Sequence, residues 1–303
     1  MESRRGLAVL TPSYSTDAEL CRELNRSVLR WMPEDVTHHI VVPQQDVPIF
    51  RMLLNNRTEI HEARKFLDAS MWKLPHLNMW VNRSRPWPPI RGWIAQQLIK
   101  LSAAASLDVD AVILVDSDMV LVAPTDLESF RQDGKLEMYS NPGAVHSGLP
   151  RHRMWLESAR DLLGLGRAES GNLTDYVCWP CVWDPAIVRS MLQHIERVNG
   201  ESWQSAVASQ LHFSEMMLYG TYVDAVLGGP PAVTSRMKSI SYSEESPLTG
   251  AEIRKMLRSS PTDVLAVMIS AKSGTSQDVR TQALADYADY LEGSRSNARG
   301  GAA

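Results

Sequence analysis

Short apolar runs alternate with stretches of helical period along the first half of the chain, the pattern of a sheet flanked by helices. Gly6 to Leu10 reads as a first strand. Thr16-Asp17-Ala18-Glu19 has the form of a capping box, and Leu20, Leu24, Val28 and Trp31 then recur on one helical face. His39 to Val42 predicts a second short strand, Gln45 to Leu54 a helical stretch after Pro43, and 57–67 a strand passing into a helix. The segment from Trp72 to Trp93 is rich in Trp, Pro, Asn and Arg and has no clear period. It reads as a long ordered loop, and such loops tend to carry function.

From Gly92 the pattern sharpens. Ile94, Leu98, Leu101 and Ala105 recur at helical spacing up to about Ser106. Ala111 to Val115 is a continuous apolar run, as expected of a strand covered on both faces, and Asp116-Ser117-Asp118 stands at its carboxyl end. Met119 to Val122 resumes the apolar character until Pro124. The second half is more helical: Arg153 to Leu163, Ala186 to Val198, Ser202 to Gln210, and Ser214 to Leu227 before Gly228-Gly229-Pro230-Pro231. Val264 to Ser270 reads as a late buried strand, Gln282 to Leu291 as a helix, and Ser294 to Ala303 as a disordered tail of small residues. The order of elements predicts an α/β class: a mixed, Rossmann-like sheet flanked by helices.

Composition narrows the partners. With 303 residues, 44% apolar and 22% charged, the chain reads as one large folded domain or one and a half. A net charge of -4 argues against a general nucleic-acid binder. The first apolar stretch, Leu7 to Leu10, is too short for a secretory h-region, and no run reaches the length of a membrane span, so a cytoplasmic location is the expectation. Cys21, Cys178 and Cys181 make no disulfide framework. Cys178-Trp179-Pro180-Cys181 has redox spacing but lies mid-chain in an aromatic stretch, where two buried thiols are the expectation.

Asp116 and Asp118 carry the chemistry. The carboxyl edge of an open α/β sheet is where such folds bind ligands. Two carboxylates placed there after an apolar strand are costly unless a cation is bound, and at i and i+2 of an extended backbone they point the same way. Oxygen ligands favour Mg²⁺ or Mn²⁺, which in turn hold a diphosphate. The metal would stabilise a leaving nucleoside diphosphate.

Arg91 to Leu101, followed by Val112-Ile113-Leu114-Val115-Asp116-Ser117-Asp118, resembles the core of GT-A glycosyltransferases. More narrowly it resembles the bacterial GT-A-like group called domain of unknown function 6492, in which a later block resembling His212 to Gly220 also recurs. The resemblance implies a GT-A-like fold, with 1–125 as the nucleotide-sugar half, 126–293 as the acceptor half of the same domain and 294–303 as the tail. It implies a glycosyltransferase that moves a sugar from a nucleoside-diphosphate sugar, UDP favoured, to an unidentified acceptor hydroxyl. Asp116 and Asp118 would hold Mn²⁺ or Mg²⁺, with Asp116 and Ser117 also at the nucleotide. Thr11, Pro12 and Tyr14 would meet base and ribose, and Arg91, Lys100 and Lys272 the nucleotide or its phosphates. The family's frequent C-terminal metal-binding histidine has no counterpart after His212; the late strand leads instead to Lys272.

Inverting transfer needs a carboxylate base. Glu215, in the first turn of a helix capped by Ser214, is the candidate, with Asp175 and Asp184 as weaker ones. His146, Trp179 and His212 are the candidate acceptor-side residues, and Trp155 and Trp183 share that region. Three rivals stand beside this reading. In a phosphatase of the haloacid dehalogenase type, Asp116 would be the nucleophile of a D-x-D-x-[TV] motif; a nucleotidyltransferase would need a Gly-rich basic loop after the first strand; a noncatalytic nucleotide-sugar or glycan binder would use the same fold.

Overall fold

The computed structural model describes residues 6–300 apart from 75, 76, 78, 84, 169, 170, 172, 260 and 262. Its centre is a five-stranded sheet built from β1 (Leu7–Pro12), β2 (Thr37–Val42), β3 (Thr58–Glu62), β4 (Ala111–Leu114) and β6 (Cys181–Trp183), in the order β6-β4-β1-β2-β3. Four strands run parallel and β6 pairs antiparallel to β4, Cys181 lying opposite Leu114. The fold is α/β and Rossmann-like, with a mixed sheet, as the element order predicts.

The continuous apolar run at β4 follows from burial on both faces. Val112 and Leu114 point into one core with α2 (Gly92–Ser106), while Ala111, Ile113 and Val115 point into a second. That second core is filled by α1 (Ala18–Trp31), α6 (Gly250–Arg258) and α7 (Gln277–Gly300). After the aspartates the chain turns into β5 (Met119–Leu121), which leaves the main sheet and pairs antiparallel with β8 (Ala266–Ile269); β8 also pairs parallel with β7 (Ser239–Tyr242). The turn between β4 and β5 therefore sits where two sheets meet. In the second half, α3 (Pro150–Leu162), α4 (Pro185–Asn199) and α5 (Glu215–Thr221) pack on the first core.

Three expectations need correction. The segment read as a loop from Trp72 to Trp93 is largely an antiparallel meander of Met71–Lys73, Met79–Asn82 and Arg85–Arg91. Pro86 and Pro89 lie in its outermost strand, where an absent N–H costs no ladder bond, and they hide the strand from a periodicity reading. The capping box at Thr16 does not form: Ser15–Asp17 is a 3-10 turn and α1 starts without a side-chain cap. A capping box is present at Thr249 and Glu252 instead. Finally, α7 continues through Gly300, so the tail read as disordered from Ser294 is helical over most of its length, and 301–303 lie outside the described residues. Ala283, Leu284, Tyr287, Ala288 and Leu291 anchor that helix, and its small polar continuation contains no proline to stop it. Among the described residues no helix is long and apolar enough to cross a membrane.

Candidate functional site

The Asp116-Ser117-Asp118 turn is held from four sides. Ser117 is buried and donates through Oγ to Ser13 Oγ at 2.9 Å, tying the turn to the end of β1. Asp118 Oδ2 accepts from the backbone N–H of Ala271, just after β8, at 3.1 Å. Arg280, on α7 and only 2% exposed, donates to the carbonyl oxygens of Asp118 and Ile269 while its Nε donates to Glu23 Oε2 at 3.0 Å. Lys100, on α2, reaches Asp116 from the other side. No local pattern marks Arg280, because its partners lie far away in sequence; a buried-face arginine in an amphipathic helix was the available signal.

Lys100 is the hub of the site. Its Nζ lies 3.0 Å from Glu215 Oε1, to which it donates, and 3.0 Å from Asp116 Oδ1, an ion-pair contact without hydrogen-bond geometry. It also lies 4.9 Å from the centre of the Trp179 ring. Burial alone would lower the lysine pKa, but the two carboxylates outweigh it and hold the ammonium above its ordinary value, fully protonated at neutral pH. Lys100, which the sequence reading offered as a cation for the nucleotide or its phosphates, is thus a buried ammonium shared by two carboxylates. Glu215 is the first residue of α5, capped by Ser214 Oγ, and its N–H donates to Gln97 Oε1 at 2.9 Å. It is 4% exposed and faces Lys100. This arrangement suits fixing Lys100 and Asp116 in place, with the Glu215 carboxylate itself nearly dry.

Negative charge is in excess here. Asp116 and Glu215 share one ammonium, Lys100, leaving one carboxylate charge over, and Asp118 and Asp17 add to it, while Arg280 pairs with Glu23. The imbalance is visible in the acids. Burial first and then the Asp116 charge raise the Asp118 pKa, and burial with Asp118 and Asp116 raises that of Asp17. Asp118 Oδ1 is buried without a hydrogen-bond partner among the described residues. An orphaned buried carboxylate oxygen beside a second carboxylate fits a divalent cation held by Asp116 and Asp118.

An open cleft of about 840 Å³ lies at the carboxyl edge of the sheet; Asp116 and Asp118 do not line it, but Ser13, bonded to Ser117, and Lys272, next to the Ala271 that holds Asp118, do. Pro12, Ser13 and Tyr14 from the end of β1 form one wall, and Trp80 of the meander and Trp93 of α2 the other. Lys272 reaches it from the segment after β8, and Lys73 from the meander. Of the sequence candidates, Pro12, Tyr14 and Lys272 thus line the cleft together. Thr11 does not: it is fully buried, and its hydroxyl meets His38 Nε2 at 2.9 Å. Arg91 is exposed at the N-cap of α2. His146 and His212 are exposed, and His146 Nδ1 accepts from Gly148 N–H in a local turn. Trp179 is half-buried over Lys100, away from the cleft walls named above. Asp184 caps α4 through Ala186 N–H, and Asp175 is engaged by His152 at 3.0 Å. Trp80 and Trp93 were not singled out from sequence, although the Trp-rich segment that holds them was.

The thiols Cys178 and Cys181 are buried and free. Hydrogen bonding with Cys178 and then burial push the Cys181 thiol up, opposite to a redox nucleophile. None of the curated proteins compared with the chain matches it. A family model described as a family of unknown function, DUF6492, matches residues 7–259, a span that contains the aspartate turn, Lys100 and Glu215, and the chain belongs to that family.

Proposed function

We propose that this protein is a metal-assisted glycosyltransferase, moving a sugar from a nucleoside-diphosphate sugar, UDP in the first instance, to an acceptor hydroxyl. The observation that carries the reading is the buried, unpartnered Asp118 Oδ1 beside the Asp116 carboxylate, in a turn joined through Ser13 and the Ala271–Lys272 segment to a cleft of about 840 Å³. A metal ion bound there would supply Lewis-acid stabilisation to a departing diphosphate. Asp116 and Asp118 hold the cation, and Lys272 contributes a mobile positive charge for the phosphates. Pro12 and Tyr14 face the nucleoside, and Trp80 and Trp93 offer flat apolar surfaces to a sugar. Glu215, proposed from sequence as the base of an inverting reaction, acts in this geometry through Lys100: it keeps the ammonium against Asp116.

The test is a thermal-shift series with UDP, GDP, dTDP and CDP, each with and without Mn²⁺. A nucleotide at a hundredfold its dissociation constant adds about 2.7 kcal/mol to stability. The expected result is a shift with one nucleoside diphosphate that needs Mn²⁺ and disappears in Asp118→Ala. No shift with any nucleotide in folded protein would reject the reading and turn attention to phosphatase activity.

A further inference from the structure

A second constellation lies on β2 and β3, apart from the aspartate turn. Side chains alternate across a strand. His38 points to the α1 side, where Asn25 meets it, so His39 points to the opposite face. Glu59 stands directly beside His39 in the parallel register, and His61, two residues on, shares its face. His39 Nδ1 is 3.0 Å from His61 Nε2 and 3.5 Å from Glu59 Oε2, and His61 Nε2 is 3.3 Å from the same carboxylate oxygen. Two ring nitrogens and one carboxylate oxygen thus converge on a single point.

We propose that His39, Glu59 and His61 form a binding site for a borderline transition-metal ion, Zn²⁺ or Co²⁺ in class, with a coordination position left open to solvent. The triangle of donor atoms has edges of 3.0, 3.3 and 3.5 Å. A tetrahedral ion with bonds of about 2.0–2.1 Å spans ligand–ligand edges of roughly 3.3–3.4 Å, so the donors stand nearly where such an ion needs them. Two imidazoles select Zn²⁺, Co²⁺ or Ni²⁺ over Mg²⁺ and Mn²⁺, in contrast to the all-oxygen pair at Asp116 and Asp118. The rings are already packed: they stack with centroids 5.3 Å apart, and Phe66 lies edge-on to His61. Without metal, the facing nitrogens share one proton across 3.0 Å; a cation takes that place, and the ring that carried the proton moves it to its other nitrogen. Glu59 is largely exposed, so an ion can enter from solvent and keep a water in its fourth position.

The test is a titration of the full chain with Co²⁺ alone, followed by its visible absorption, with Zn²⁺ uptake measured by equilibrium dialysis. It is run in the wild type and in Asp118→Ala, which removes the other metal candidate. One equivalent with the intense visible band of a four-coordinate ion is expected in both proteins; a second equivalent in the wild type that is absent from Asp118→Ala belongs to the aspartate turn. His61→Gln and Glu59→Gln should each weaken binding at least tenfold. Both residues are partly or largely exposed, so folding is checked by an unchanged melt without metal. Retention of full Co²⁺ affinity in His61→Gln, or no Co²⁺ bound by the folded wild type, overturns the site. Neither outcome bears on nucleotide binding, which is read separately.

Discussion

Replacing Lys100 by methionine keeps most of the volume of the side chain and removes the ammonium between one buried and one half-buried carboxylate. Both contacts are at 3.0 Å, but they are not equal: the Glu215 side chain is 6% exposed and that of Asp116 30%. Solvent screens the Asp116 contact, so most of the loss comes from Glu215, left charged and nearly dry. Removing one partner of a buried pair costs about 3–5 kcal/mol. For a chain of this size that is a drop of roughly 5–8 °C in melting temperature. Lys100→Met also raises the excess negative charge of the site by one unit. If Asp116 and Asp118 hold a divalent cation, Mn²⁺ should then restore more stability to the variant than it adds to the wild type. Lys100→Met/Glu215→Gln should recover much of the loss without metal. The assay is urea unfolding of the three proteins with and without Mn²⁺. A change below about 0.5 kcal/mol for Lys100→Met would refute the buried triad. Equal Mn²⁺ stabilisation of variant and wild type would refute the cation's place beside Asp116.

Two further outcomes follow from buried groups away from the cleft. Burial and the neighbouring His39 push His38 down to about 3, well below its unfolded value, so its contribution to stability is complete above pH 6.5 and is lost as pH falls; the loss is about 2 kcal/mol by pH 5. His38→Gln, which can still donate to Thr11 and accept from Asn25, should flatten that part of the stability–pH curve, and an unchanged slope would contradict the assignment. Arg280→Leu should cost about 3–5 kcal/mol by stranding Glu23, and Glu23→Gln/Arg280→Leu should recover part of it; additive losses in a double-mutant cycle would mean the pair is uncoupled.

What the sequence made legible was local. The helix from Gly92, the apolar strand before Asp116 and the Ser214-capped start of α5 each rest on a period or a cap that a few neighbouring residues define, and each is found within a few residues of its expected bounds. The meander was hidden because prolines on an outer strand erase alternation, and the Thr16 box failed because the chain there closes a 3-10 turn. At the site, the aspartates were visible and their setting was not. Lys100 stood out as a cation before the aspartates, but its partner Glu215 comes only when α5, more than a hundred residues later, is packed against it, and Arg280 meets Glu23 only when α7 docks on α1. Thr11 shows the converse: its place at the end of β1 was right, but strand alternation turns its hydroxyl to His38 and away from the cleft.

The same long-range contacts explain why the turn can hold an unfavourable charge arrangement. A buried carboxylate oxygen with no partner costs about 1–3 kcal/mol or more, and a free turn would relax by rotating it to solvent. Asp118 is denied that relaxation. Ala271 N–H holds Oδ2, Ile269 N–H and Arg280 hold the carbonyl oxygen, and Oδ1 is left where it is. Asp116 is likewise held by Lys100 while Lys100 is held by Glu215. Such a site is organised before any ligand arrives, so a divalent cation would discharge it with little rearrangement of the protein. The consequence is specific to this geometry: Asp118→Asn, which removes one charge and keeps the shape, should stabilise the metal-free protein while abolishing its response to Mn²⁺, whereas an Asp118 of purely structural value would lose stability on the same change.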